Sequence, residues 1–211
     1  MTNRTRIKVC GLTQLDQALY CAELGADSIG LVFHPPSSRL IEIDAAINIR
    51  RALPPFVTVT ALFLDEQQDW MERVVNAVRP DCLQFHGNET VEVCEQFELP
   101  YIKSIPMASV ADAQIYANSF AGAQGFLMDS NMAGRMGGSG DTFDWSRIPA
   151  SFGSPIILAG GLNSGNVAEA IALVKPWGVD VSSGVEAAKG IKDRVLLKRF
   201  FTEVQRCDAR T

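Results

Sequence analysis

Cys10 closes a short apolar run, Lys8-Val9-Cys10-Gly11-Leu12-Thr13, and Asp129 closes another, Phe126-Leu127-Met128-Asp129. A thiolate is a usable base and a carboxyl group a usable acid once their surroundings tune them. Burial raises a carboxyl pKa, and a neighbouring cation favours a thiolate. Lys8 shares a strand face with Cys10 and is placed to supply that cation. The plainer readings are a small buried hydrophobe for Cys10 and a loop cap for Asp129. Two glycine-bearing stretches, Ala159-Gly160-Gly161-Leu162-Asn163 and Ser182-Ser183-Gly184-Val185-Glu186, also follow apolar runs. Small residues let backbone N–H groups approach an anion, so Gly160, Gly161, Ser183 and Gly184 read as a phosphate site. Ordinary tight turns are the alternative.

Arg39 ends His34-Pro35-Pro36-Ser37-Ser38-Arg39, where the prolines stiffen the loop and fix the direction of the guanidinium. An arginine so held can clamp a carboxylate with two parallel bonds, although solvated loop arginines are commoner. His34 and His86 are candidate proton shuttles, and their placement on different strands does not make a metal site. The stretch Asn131 to Asp141 carries Gly134, Gly137, Gly138 and Gly140. A long glycine-rich loop either closes over a ligand or is a plain connection. No Walker-type loop and no Ser-His-Asp order is present.

The elements that must position these residues alternate. Apolar, β-branched runs at Ile7–Leu12, Ser28–Phe33, Val57–Leu64, Cys82–Gly87, Tyr101–Met107, Gly125–Ser130, Pro155–Leu162 and Gly178–Val185 read as strands. Helical patterns follow them: from Thr13 as a cap, over Asp44–Leu53, from Asp65, from Thr90, over Ala111–Phe120, as a short turn near Asp144–Ile148, over Ser164–Val174, and over Lys192–Arg206. Near-continuous apolar strands are buried on both faces, as in a parallel sheet. Eight β/α repeats favour a single (β/α)8 barrel over residues 1–211, with its site at the C-terminal strand ends. Strands one and eight are then neighbours. Lys8 and Asp180 both point inward and pair there, because a lone buried charge is costly.

The bulk properties narrow the partners. The chain has 211 residues, 47% of them hydrophobic, and a net charge of −5. An acidic protein is a poor match for nucleic acid or an anionic membrane, so an anionic ligand needs a local site. Five cysteines without close pairing argue against a disulfide framework. With no signal-peptide pattern and no apolar run of spanning length, a cytoplasmic protein is expected.

In this order, KVCGLT, LVFHPPSSR, LQFHGNE, FLMDS, GGSGDTFDW, LAGGLNSGNV and GVDVSSGVE…GIKD resemble phosphoribosylanthranilate isomerase. The resemblance covers nearly the whole chain. It implies a (β/α)8 barrel and an Amadori rearrangement of N-(5-phosphoribosyl)anthranilate in tryptophan biosynthesis, with no metal or organic cofactor. It also implies Cys10 as general base, Asp129 as general acid and Arg39 as holder of the anthranilate carboxylate. His86 and Gly138 join the phosphate glycines and Ser183 as substrate-binding residues. The partner is then a small phosphorylated molecule, and a monomer is the expected state. Ala188-Lys189 stands where the family often has a proline before the glycine of GIKD. Two other phosphate-binding barrels fit less well. Indole-glycerol-phosphate synthase needs a rim lysine and glutamate, and Lys103 has no evident glutamate. A pentose-phosphate epimerase needs metal ligands. A phospho-ligand sensor would have no use for both Cys10 and Asp129.

Overall fold

The computed structural model describes residues 4–130 and 142–209. Eight strands, β1 (Arg6–Cys10), β2 (Ser28–Val32), β3 (Thr58–Phe63), β4 (Cys82–Phe85), β5 (Tyr101–Pro106), β6 (Gly125–Asp129), β7 (Ile156–Leu158) and β8 (Gly178–Val181), pair in chain order. All neighbours are parallel, and β8 returns to β1, so the barrel closes. Helices α1 (Leu15–Glu23), α2 (Ile43–Ala52), α3 (Gln68–Val78), α4 (Val91–Glu95) and α5 (Ala113–Asn118) follow the first five strands. A 3-10 turn (Trp145–Arg147) precedes β7, α6 (Val167–Val174) follows it, and α7 (Arg194–Asp208) ends the fold.

Strand alternation sorts the side chains into two cores. Outside the barrel, Phe33, Phe63, Phe85 and Phe97 form a ladder with ring centroids 6.0, 6.2 and 6.5 Å apart. It lies in the continuous apolar layer that also holds Ile49, Met71, Val74 and Cys94 of the surrounding helices. Inside the barrel, smaller clusters remain: Cys10 with Val32 and Leu62, and Leu127 with Ile157 and Ala159. Cys10 therefore has apolar neighbours on the β2 and β3 side of the barrel.

The strands are shorter than the apolar runs. Leu64, Met107 and Leu162 stay buried but leave the sheet. Strand β7 stops early because Gly160 and Gly161 both take left-handed backbone, with φ of 80° and 65°. Four helix starts also differ from expectation. Thr13 does not cap α1; its hydroxyl donates to Gly190 O at 2.9 Å, and Gln14 holds the cap position. Asp65 has a φ of 56°, and its carboxylate accepts from Asn88 N at 2.6 Å, three residues before α3 starts. Helix α6 begins at Val167, because Asn163 and Asn166 fold the preceding loop onto Gly161 O. Lys192 is not helical. It lies in an antiparallel ribbon, β9 (Glu186–Ala188) and β10 (Ile191–Lys192), that no reading of the sequence anticipated. Asp193 caps α7 by accepting from Val195 N and Leu196 N. Among the described residues, no helix is long and apolar enough to cross a membrane.

Candidate active site

A cleft of about 700 Å³, the open solvent at its mouth included, lies at the C-terminal ends of the strands. Its walls include Cys10, Arg39, His86, Asp129, Gly160, Gly161 and Ser183. Gly184 is not on the wall. A Cβ there would stand 1.9 Å from Leu162 O, so its role is to let the loop after β8 pack against the loop after β7. Gly138, and with it the glycine-rich stretch 131–141, lies outside the described residues.

Cys10 ends β1 and is 6% exposed. Its register partner on β2 is Gly30, where a Cβ would meet the Cys10 sulfur at 2.8 Å. A glycine in mid-strand, otherwise a weak choice, is what makes room for the thiol. Lys8 and Asp180 are register partners across β1 and β8, and Lys8 Nζ donates to Asp180 Oδ1 at 3.0 Å. The inward ion pair is therefore present, with side chains 5% and 9% exposed. Burial opposes the Lys8 charge, but Asp180 and Cys10 outweigh it and carry the ammonium above its ordinary pKa. For Cys10 the balance falls the other way. Burial pushes the thiol up, Lys8 and Lys192 pull it back, and it stays above its ordinary value. The cation is where the sequence placed it, yet it only partly offsets the cost of burial.

Asp129 ends β6, also 6% exposed. His86 Nε2 lies 3.3 Å from its Oδ2, and the Ser130 hydroxyl lies 3.4 Å from its Oδ1. Behind the imidazole, Gln84 Nε2 sits 3.3 Å from His86 Nδ1. The other end of that amide, Oε1, is buried without a hydrogen-bond partner among the described residues. An orphaned acceptor is costly, and such groups concentrate at working sites. His34, the other candidate shuttle, lines the cleft but pairs with Glu66 through Nδ1.

Arg39 reaches the cleft across Gly11, whose φ of 76° and missing Cβ let the arginine stem lie 2.4 Å from where a Cβ would stand. Its two-bond fork is already used: Nε and Nη2 each donate at 2.8 Å to the Glu186 carboxylate. Lys192 Nζ also donates to Glu186, at 2.8 Å. Burial acts to raise the Glu186 carboxyl, but Arg39 and Lys192 hold it below the usual range. Sequence reasoning missed Glu186 and Lys192, because two strands of three and two residues leave no periodic signal.

Lys103 has a glutamate after all. Its Nζ donates at 2.7 Å to both Glu89 Oε2 and Gly87 O. With side chains 0% and 2% exposed, this pair is structural scaffolding and not part of the cleft wall. Glu89 also accepts from Gly87 N and Asp65 N, which fixes the loop that starts at His86.

An eight-stranded parallel barrel with a thiol, a carboxyl group and small-residue loops at its C-terminal rim has the architecture of the (β/α)8-barrel enzymes, and the chain is one of them. It belongs to the N-(5'-phosphoribosyl)anthranilate (PRA) isomerase family, whose sequence profile matches residues 7–203. The PRA isomerase of Xylella fastidiosa (strain M12) is 46% identical over 211 residues, covering 98% of this chain and 94% of that protein. The crystal structure of the Thermotoga maritima isomerase is 37% identical, with a TM-score of 0.85 over 96% of this chain and 99% of that one. A PRA isomerase crystallised with reduced 1-(o-carboxyphenylamino)-1-deoxyribulose 5-phosphate is 34% identical, with a TM-score of 0.78 over 96% and 99%. A further structure, 32% identical with a TM-score of 0.78 over the same shares, is of monomers made from the dimeric Thermotoga maritima isomerase. The chain is thus an isomerase of tryptophan biosynthesis.

Proposed function

We propose that this barrel performs the family's Amadori rearrangement with Asp129 as general acid and Cys10 as general base. One observation carries the assignment: the two residues come from β1 and β6, are almost fully buried, and line the same cleft. Asp129 protonates the ribose ring oxygen of N-(5-phosphoribosyl)anthranilate. The ring opens to an iminium ion. The Cys10 thiolate then removes the proton from C2 of the sugar, and the resulting enolamine tautomerises to the ketone. Lys8 and Lys192 favour the thiolate, and the Nε2 of His86 holds one oxygen of the acid in place. The backbone of Gly160, Gly161 and Ser183 faces the phosphate, and the part of Arg39 that Glu186 leaves free faces the anthranilate carboxylate. The bound ligand of the relative carries both a phosphate and a carboxylate, which supports this division of the cleft.

The fluorescence decay of phosphoribosylanthranilate tests the reading. The protein should accelerate it, and Asp129→Asn should lose about 10² to 10⁴ of that rate while still binding the reduced product analogue. Near-normal turnover in Asp129→Asn removes the acid from the mechanism. We also propose a cytoplasmic monomer. Sedimentation at micromolar protein tests the monomer, and a dimer would align this chain with the Thermotoga maritima isomerase instead.

A further inference from the structure

Lys192 is the least expected charge in the molecule. Its side chain is 0% exposed, and it sits on a two-residue strand at an irregular register step. Among the described residues, the contacts of its ammonium point to the two ends of the cleft. Nζ donates to Glu186 Oε1 at 2.8 Å, and Glu186 in turn holds the fork of Arg39. Nζ also donates to Ser182 O at 3.1 Å and meets Ser182 Oγ at 3.4 Å, at the start of the loop that carries Ser183 and Gly184. The backbone beneath it is stapled on three sides. Lys192 N donates to Gln17 Oε1 at 3.0 Å, Thr13 holds Gly190 O, and Asp193 N donates to Val185 O at 2.8 Å. At Gly190, with a φ of 80°, a Cβ would meet Ser38 O at 2.9 Å, so the ribbon turn also abuts the loop of Arg39.

We infer that Lys192 is a positioning residue that ties the phosphate end of the cleft to its carboxylate end. The inference rests on the reading of the cleft given above. One ammonium fixes both the Ser182 backbone and the carboxylate that aims Arg39, so the spacing between the two anion-binding ends is set by a single side chain. The charges agree with this role. Arg39 and Lys192 outnumber Glu186 by one, leaving a local positive surplus in a protein of net charge −5. A buried ion pair with only a packing role is commonly replaceable as a whole by apolar side chains of similar volume, whereas removing one member alone costs stability without acting on one ligand end in particular.

The test is competitive inhibition of the isomerase by two separate probes, inorganic phosphate and anthranilate, with wild type, Lys192→Met, Glu186→Gln and Arg39→Ala. Residues that orient a binding group typically contribute about tenfold or more to affinity. Lys192→Met is expected to weaken both probes by about tenfold, and Glu186→Gln to weaken anthranilate by about tenfold while leaving phosphate within about twofold. Lys192→Met with both constants within about twofold of wild type overturns the inference. So does equal weakening of both probes by Glu186→Gln, because the effect would then be general loosening. Should Lys192→Met fail to fold, Lys192→Arg keeps the charge but replaces a point donor with a planar fork. It should weaken phosphate by at least about threefold, and unchanged constants for both probes would again overturn the inference. Arg39→Ala without any loss of anthranilate inhibition is a different outcome. It sinks the carboxylate reading itself, while the phosphate arm of Lys192→Met still decides the tie to Ser182.

Discussion

The wall of the cleft built from β1 and β8 holds Cys10 among fixed charges: the Lys8–Asp180 pair on one side, Arg39, Glu186 and Lys192 on the other. The wall built from β4 and β6 holds Asp129 against an imidazole and a hydroxyl, with an amide behind the imidazole. Under the proposed roles, the difference follows from what each group must do. A thiol becomes a base by acquiring charge in a place that burial makes hostile to charge, so it needs cations already present. An acid that gives up a proton and later regains it is better served by a neighbour that can donate or accept one. The two walls therefore predict different responses to mutation.

Among the residues that surround the proposed acid and base, the largest response is expected at Lys8. Removing it leaves burial as the dominant influence on Cys10 and moves the thiol further up. Below the thiol pKa, each additional unit removes about tenfold of the thiolate. Lys8→Met should therefore lower kcat/KM by about tenfold or more near neutral pH and shift the titration of the Cys10 thiol to higher pH. It also strands Asp180, a loss of about 3–5 kcal/mol for a broken buried pair. Lys8→Met/Asp180→Leu should restore the melting temperature and leave the rate low. If the double variant regains both, the lysine serves stability alone. In wild type the same sign holds. Because the thiol sits above its ordinary 9.0, the thiolate fraction of Cys10, read by its alkylation rate, should still be rising as pH increases from 7 to 9.

A somewhat smaller effect, and on a different constant, is expected at Arg39. Its proposed place is against the ligand and not the reacting atoms, so Arg39→Ala should raise KM by about tenfold with kcat little changed. An unchanged KM would detach the guanidinium from the substrate. On the opposite wall, Gln84→Met removes the partner of His86 Nδ1 together with an orphaned oxygen. The expected outcome is a fall in kcat of a few-fold, about the effect of a lost orienting bond, with stability unchanged or improved. Equal losses of stability and activity would make Gln84 ordinary packing.

The smallest effect lies away from the cleft. Burial pushes the Cys21 thiol up to about 12. A raised folded-state value means the contribution to stability is complete below the unfolded value of 9.0 and is lost as pH rises toward about 12. Urea midpoints should fall between pH 9 and 11, and Cys21→Ala should flatten part of that decline.

Legibility in the sequence followed physical range. The eight strands were readable because each is buried on both faces and apolar throughout, and the Lys8–Asp180 pair because closure of the barrel sets β8 beside β1. Cys10, Asp129 and His86, which line the cleft, stand out at the ends of apolar runs, and Arg39 after a proline-stiffened loop. Element ends were not readable, since Thr13 and Asp65, both plausible caps, are used to tie one loop to another. Nor was the charge network. Glu186 and Lys192 lie 147 and 153 residues from Arg39 in sequence, and their strands are too short to carry a period. Lys103 was visible as an odd charge in a buried strand, but its partner Glu89 lies in a loop whose course only the tertiary fold defines.

The assignment of the base is tested most directly by the turnover of Cys10→Ala at saturating phosphoribosylanthranilate, followed by substrate fluorescence. The account predicts a loss of at least about 10² in kcat, with affinity for the reduced product analogue kept within about threefold. Turnover near that of wild type would contradict it, and the C2 proton would then have to leave through another group.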